Sequence, residues 1–256
     1  MEALLKRRTS LPLMKSTDQE PQQPAAAVIV AAGSSRRMGQ VSVGSKLLLP
    51  LGGQTVLAHT LRAFEETPMI DEIILVARDE DVERFHEVAA GSSISKLSAI
   101  VRGGETRSRS VLNGVERSKS EQAWVAVHDA ARPLVTPEVI TRSLAVAREE
   151  GAALVAIPAK DTLKESVDGA RADRTIDRAR VWIAQTPQVF PREALLDLLR
   201  GAQQRGAEAT DESVLWEEER GPVALVQGEE SNLKITTPGD VALAEAWLAV
   251  SNQENK

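Results

Sequence analysis

The chain of 256 residues has no cysteine, which removes disulfides, thiolate metal centres and a cysteine nucleophile at once. Histidine is scarce as well: His59, His86 and His128 are the three present, spaced too widely to suggest a metal-binding cluster. No apolar run approaches the length needed to span a bilayer, so nothing points to an integral membrane protein. There is no basic excess either. With 31 Lys and Arg against 37 Asp and Glu, the net charge of −6 argues against a general nucleic-acid binder. What remains, 42% hydrophobic and 27% charged, is ordinary for a soluble protein and sufficient for one large α/β core or two small domains.

Residues 1–24 stand apart, being polar with Pro12, Pro21 and Pro24, and are predicted to form a mostly disordered tail. Their apolar pieces are too short for a signal peptide, and Glu2 and Asp18 suit a transit peptide poorly, so a cytoplasmic location is expected. Beyond the tail, apolar strands (28–30, 73–76, 97–101, 124–127, 152–157) alternate with helical patterns (57–64, 82–89, 111–115, 139–147, 194–199). That alternation predicts a mostly parallel sheet with helices on both faces, forming one domain over 25–256. The stretch 159–182 breaks the pattern: it is polar, with a turn signal at Asp168-Gly169 and little to bury. It reads as a projecting β-hairpin arm, whose simplest partner is a second copy of the chain.

Open parallel sheets bind ligands in the loops beyond their strand ends, and the chemistry of this sequence is concentrated there. After the strand at 28–30, Ala31-Ala32-Gly33-Ser34-Ser35 lacks bulky side chains, so backbone N–H groups can approach a phosphate chain. Arg36, Arg37 and Lys46 would supply the matching positive charge, although the same stretch also reads as a flexible basic loop. Arg102 to Ser110 offers two glycines, then hydroxyls and arginines at a helix start, as a base or phosphate pocket or simply a capped helix. His128-Asp129-Ala130-Ala131-Arg132-Pro133 puts a carboxylate and a guanidinium beyond a strand, as a site or a weak surface pair. Further on come Gln185-Thr186-Pro187-Gln188 and a capping pattern at Thr210-Asp211-Glu212. A strand over 222–226 leads to Asn232-Leu233-Lys234-Ile235-Thr236, where Lys234 also suits a solvated strand edge. A closing amphipathic helix over 240–250 is expected to turn Leu243, Ala244, Trp247 and Leu248 toward the core.

In order, AAGSSRRM, the lysine of KLLLPLGGQTVL, GGETRSRSV, HDAARP, KDTLK, DRARVWIAQTPQVF, TDE and NLKIT resemble the motif series of the 2-C-methyl-D-erythritol 4-phosphate cytidylyltransferase family. The resemblance covers roughly residues 25–250. It implies an α/β, Rossmann-like sheet with a projecting β-arm for dimerisation, and a nucleotidyltransferase of isoprenoid-precursor synthesis. The implied reaction joins CTP to methylerythritol phosphate, giving the CDP-alcohol and pyrophosphate with Mg²⁺ as cofactor. Matched residue by residue, Arg37 and Lys46 would stabilise the transition state at the α-phosphate. Ala31, Ala32, Gly33, Gly104, Glu105 and Ser110 would surround the cytidine and its triphosphate. Asp129, Ala130 and Arg132 would face ribose and sugar phosphate, and Thr162, Arg178, Thr210 and Lys234 would contact methylerythritol phosphate. Of these, Arg178 and Lys234 would position the attacking phosphate. No protein metal-ligand set is implied: Mg²⁺ would rest mainly on the triphosphate, with Asp129 as the candidate side chain. In the implied homodimer the arm crosses, so Thr162 and Arg178 would serve the neighbouring site, with no nucleic-acid or membrane partner.

Three departures concern loop shape rather than charge. Ser35 stands where the family usually has a second glycine, Ser45 where proline is frequent, and the interval from Met38 to Lys46 is slightly long. A ribitol-5-phosphate cytidylyltransferase shares much of the loop pattern, but HDAARP and the run 178–182 before QTPQ favour the methylerythritol enzyme. A catalytically silent nucleotide-binding protein would have no need of Arg37, Lys46, Asp129, Arg178 and Lys234 together.

Overall fold

The computed structural model describes residues 23–33, 38, 44–207 and 209–254. In chain order the elements are β1 (Ala25–Val30), a small hairpin of β2 (Pro50–Leu51) and β3 (Gln54–Thr55), α1 (Val56–Glu65), β4 (Glu72–Ala77), α2 (Val82–Gly91), β5 (Leu97–Arg102), α3 (Arg107–Arg117) and β6 (Trp124–Asp129). They continue as α4 (Pro137–Glu150), β7 (Ala153–Pro158), β8 (Leu163–Glu165), β9 (Arg174–Ile176), β10 (Trp182–Pro191), α5 (Arg192–Arg205), α6 (Glu212–Arg220), β11 (Ala224–Gln227) and α7 (Pro238–Glu254). Seven strands share one sheet in the order β11-β7-β10-β6-β1-β4-β5. Neighbours run parallel except for β10, which is antiparallel to both β6 and β7.

The period-two alternation of the strands sends their side chains into two apolar layers. Ala25, Ala27 and Ile29 of β1, with Ile73 and Leu75 of β4, pack beneath Leu57, Leu61 and Phe64 of α1 and Ile140 and Leu144 of α4. On the opposite face Val28, Ile74 and Val76 meet Val111 and Val115 of α3 and Leu195 and Leu199 of α5. Helix α3 lies unusually close to the sheet because Gly114 has no side chain: a Cβ there would fall 2.5 Å from Val28 and 2.8 Å from Val76. Helix starts are set locally, since Thr55, Thr106, Thr136 and Asp211 each accept a backbone N–H of the first turn.

Several expectations are revised. Strand β10, absent from the strands expected, passes through Gln185-Thr186-Pro187-Gln188, and its pairing with β7 skips between Ala184 and Gln188. That interruption falls where Pro187 has no N–H to give to a ladder. Residues 232–236 form no strand; they cross the sheet end as irregular chain. Leu243 points away from the core and is 52% exposed, whereas Ala244 is buried and Leu248 packs against the apolar layer. Gln23 and Pro24 already make ordered contacts: the Pro24 carbonyl accepts from Ala123 and Trp124, and the Gln23 amide oxygen accepts the Trp124 indole N–H at 2.7 Å. The rest of the expected tail, 1–22, lies outside the described residues. Strands β8 and β9 do form an exposed hairpin, its connection held by Asp168 accepting the N–H groups of Ala170 and Arg171. Among the described residues no helix is long and apolar enough to cross a membrane.

Candidate active site

From β1 the chain moves outward to β4 and β5, then returns to β6 on the other side of β1. The gap between the carboxyl ends of β1 and β6 is therefore a topological switch point, where open sheets leave room for a ligand. A cleft of about 320 Å³ opens there, lined by Ala31, Ala32, Gly33, Lys46, Gly104, Glu105, Thr106, Arg107, Ser110, Asp129, Ala131 and Lys234. Its two small-residue loops touch. A Cβ on Gly103 would lie 2.4 Å from that of Ala32, and one on Gly104 would lie 2.1 Å from Arg109 Cγ. Ser110 folds its hydroxyl back to accept the Gly104 N–H at 3.0 Å while donating to the Thr106 carbonyl at 2.9 Å. The capped helix start and the pocket wall are thus one structure.

Asp129, the last residue of β6, is the electrostatic centre. Lys234 Nζ reaches its Oδ2 at 2.8 Å, Arg132 Nε lies 3.8 Å from Oδ2, and Arg107 Nε is 3.4 Å from Oδ1. Burial alone would raise its carboxyl pKa, but the charges of Arg107, Lys234 and Arg132 outweigh that and hold it well below the usual carboxylate range. Arg107 also grips the fully buried Glu212, its Nη1 donating at 2.7 and 2.8 Å to the two oxygens. Burial opposes the charge on Arg107, yet Glu212 and Asp129 lift its pKa above the ordinary value.

Beneath Asp129 a chain of hydrogen bonds orients the whole loop. The His128 ring is fully buried, with Nε2 3.2 Å from the Arg132 carbonyl and Nδ1 2.9 Å from the Thr186 hydroxyl. A carbonyl only accepts, so assigning the proton to Nε2 leaves Nδ1 to accept from Thr186, whose oxygen in turn accepts the Asp129 N–H at 3.1 Å. Desolvation dominates the nearby charges and lowers the His128 pKa to about 3, so the ring is neutral at physiological pH. Asn232 donates to the Gln185 side chain and the Thr186 carbonyl, and its own carbonyl accepts from Arg132 at 2.8 Å. Lys46 Nζ donates to the Ile235 carbonyl at 2.5 Å, tying the first loop to the irregular segment that carries Lys234.

A second, smaller cleft of about 170 Å³ adjoins the first and shares Arg107, Asp129 and Lys234 with it, adding Arg132, Thr186, Gln188, Thr210 and Asp211. The two clefts together gather Ala31, Ala32, Gly33, Lys46, Gly104, Glu105, Ser110, Asp129, Arg132, Thr210 and Lys234 of the residues predicted from sequence. Ala130 is not on the wall. It is fully buried, its N–H given to Val30 and its carbonyl taken by the Thr60 hydroxyl, while Ala131 faces the cleft instead. Thr162 and Arg178 are exposed on the arm and line neither cleft of their own chain. Arg37, with Arg36, Ser34, Ser35 and the interval 39–43, lies outside the described residues. Glu212, His128 and Thr186 acquire site positions that sequence reasoning did not give them, and Arg107, one of the arginines at the α3 start, proves to stand between Asp129 and Glu212. Glu212 belongs to the TDE motif, but a pair separated by 105 positions leaves no local signal.

Comparison with known proteins agrees with this fold. The chain matches the family profile of 2-C-methyl-D-erythritol 4-phosphate cytidylyltransferase (IspD) over residues 25–250. It is 42% identical over 224 residues to the 2-C-methyl-D-erythritol 4-phosphate cytidylyltransferase of Dehalococcoides mccartyi strain CBDB1, covering 87% of this chain and 95% of that protein. Among solved structures, the 4-diphosphocytidyl-2C-methyl-D-erythritol synthase of Anaerococcus prevotii superposes with a TM-score of 0.78 at 31% identity, covering 89% of this chain and 97% of the other. The 2-C-methyl-D-erythritol 4-phosphate cytidylyltransferase of Thermus thermophilus gives 0.69 at 33% identity, over 86% and 97%. Sheet, switch-point cleft and sequence together make this chain a member of the 2-C-methyl-D-erythritol 4-phosphate cytidylyltransferase family.

Proposed function

We propose that this chain transfers the cytidylyl group of CTP to 2-C-methyl-D-erythritol 4-phosphate, giving 4-diphosphocytidyl-2-C-methyl-D-erythritol and pyrophosphate. The observation that carries this reading is the pair of adjoining clefts meeting at Asp129, Arg107 and Lys234. One is walled by small residues and suits a nucleotide; the other presents Arg132, Lys234 and the Thr210 hydroxyl to a phosphorylated polyol. A substrate phosphate oxygen attacks the α-phosphorus in line, the new P–O bond forms as the bond to the β-phosphate oxygen breaks, and pyrophosphate leaves. The attacking oxygen is already an anion, so no protein nucleophile is required, and catalysis rests on holding two anions together. Lys46, with Arg37, would receive the charge that develops on the α-phosphate, and Lys234 would orient the attacking phosphate.

Among the described residues no three His, Cys, Asp or Glu side chains converge on a metal cage. A magnesium ion carried by a triphosphate asks for only one or two protein carboxylates, and Asp129, which lines both clefts, fits that demand. When bound, Mg²⁺ would neutralise triphosphate charge and ease departure of pyrophosphate. We also propose a homodimer in which the arm crosses to the neighbour. Val167, Trp182 and Ile183 are 89%, 39% and 50% exposed there, apolar surface that a second copy would cover. Thr162 and Arg178 would then complete the partner's second cleft.

The test is pyrophosphate release with CTP, Mg²⁺ and either methylerythritol phosphate or ribitol 5-phosphate. Turnover on the first with far less on the second is expected. Equal or faster turnover on ribitol 5-phosphate would replace the substrate assignment.

A further inference from the structure

Glu212 has no role in the reaction outlined above, yet its carboxylate is 0% exposed beneath the wall shared by both clefts. A buried carboxylate is costly unless paired, and its partner is Arg107 Nη1 at 2.7 and 2.8 Å. The other half of the same guanidinium faces Asp129, with Nε and Nη2 both 3.4 Å from Oδ1. One cation therefore stands between two carboxylates, tightly bound to one and loosely to the other. Charge-assisted N–H···O bonds settle near about 2.7–2.9 Å when unopposed, so the contact with Asp129 is a stretched one. Oδ2 of Asp129 is already engaged by Lys234 at 2.8 Å. Oδ1 is consequently the less firmly held oxygen, and it belongs to a residue that lines both clefts.

We infer that Glu212 is a positioning residue: it draws Arg107 back from Asp129 and so leaves Asp129 Oδ1 able to accept a hydroxyl of the second substrate. Without that pull, a bidentate guanidinium would close on Asp129 and occupy the oxygen the substrate needs. Because Glu212 opens α6 two residues after Thr210, the same ion pair ties the wall of the second cleft to the first residue of α3. The substrate part of this inference rests on the proposed reaction; the geometry of Arg107 does not.

Glu212→Gln keeps the side-chain volume but removes the negative charge and one of the two acceptor oxygens that Arg107 Nη1 uses. In a ligand-free crystal structure of that variant, the Arg107 to Asp129 Oδ1 distance should shorten from 3.4 Å to an ordinary charge-assisted bond. Steady-state kinetics should show KM for the polyol phosphate raised on the order of tenfold, with KM for CTP changed by less than about threefold. The double variant Arg107→Gln/Glu212→Gln has no cation to close on Oδ1, and its polyol KM should fall below that of Glu212→Gln. An unchanged Arg107–Asp129 separation overturns the inference, as does an equal rise in both KM values or a double variant no better than the single one. Failure of the wild-type protein to use methylerythritol phosphate would refute the substrate instead, since the ligand-free distance still reports on Arg107. Should Glu212→Gln not fold, the double variant leaves no buried charge unpaired and carries the test: polyol binding as weak as in Asp129→Asn, measured by calorimetry, would overturn it.

Discussion

Buried between Arg132 and Thr186, His128 can link them only while its ring is uncharged, because a proton on Nδ1 would remove the acceptor that the Thr186 hydroxyl needs. Its folded pKa of about 3 lies below the unfolded 6.5, so between those values the unfolded chain binds a proton that the folded one refuses. Stability therefore falls as pH drops through 6.5, by about 2 kcal/mol at pH 5. Asp129, with its depressed pKa, loses its own contribution only below the unfolded value of 3.8, so the two effects separate on the pH axis. Urea denaturation at about pH 7.5 and pH 5 should show this loss in the wild-type chain and its disappearance in His128→Asn; equal slopes for both proteins would contradict a neutral buried ring. Lys46 makes a different prediction. Lys46→Ala should lower kcat by roughly two to three orders of magnitude, with a smaller effect on CTP affinity. A collapse of CTP binding at unchanged kcat would make Lys46 an anchor rather than a transition-state donor.

Where two loops must touch, an element tolerates only one residue type. The turn after β5 passes so near the turn after β1 that Gly103→Ala would set its methyl 2.4 Å from Ala32 Cβ, forcing the cleft walls apart. The expected result is a KM for CTP raised about tenfold with about 1–3 kcal/mol lost in stability. Gly91→Ala, where nothing lies within 4 Å of the new carbon, serves as the neutral control in the same kinetic and melting assays. Elements whose burial is local were legible in advance. β1, β4 and β6 are short apolar runs, and α1, α3 and α4 carry the helical spacing of the faces they bury. β10 was hidden because its ladder is interrupted at Pro187 and its polar side chains Gln185, Thr186 and Gln188 are buried only through partners supplied by distant segments. Leu243 was misplaced by a helical wheel that knows spacing but not which side the core lies on.

At the scale of the molecule, the exposed arm makes assembly part of the proposed chemistry. If Arg178 serves the neighbouring site, a Lys46→Ala chain and an Arg178→Ala chain fail separately but complement each other when co-expressed. Half of randomly formed dimers are mixed, each with one intact site, so about a quarter of wild-type activity should return under two-fold symmetry. Activity no higher than that of the separate variants, with mixed dimers verified by mass spectrometry, would place Arg178 in its own chain's site or outside the reaction. The sequence by itself determined the α/β class, the strand-end loops and the types of side chain they carry, because hydrophobic period and turn chemistry are local properties. Tertiary structure alone decided that Ala131 and not Ala130 faces the cleft, that Glu212 holds Arg107 across 105 positions, and that His128 is a neutral tether. Those outcomes depend on which groups share a low-dielectric interior, and burial and charge pairing between distant segments exist only once the chain has closed.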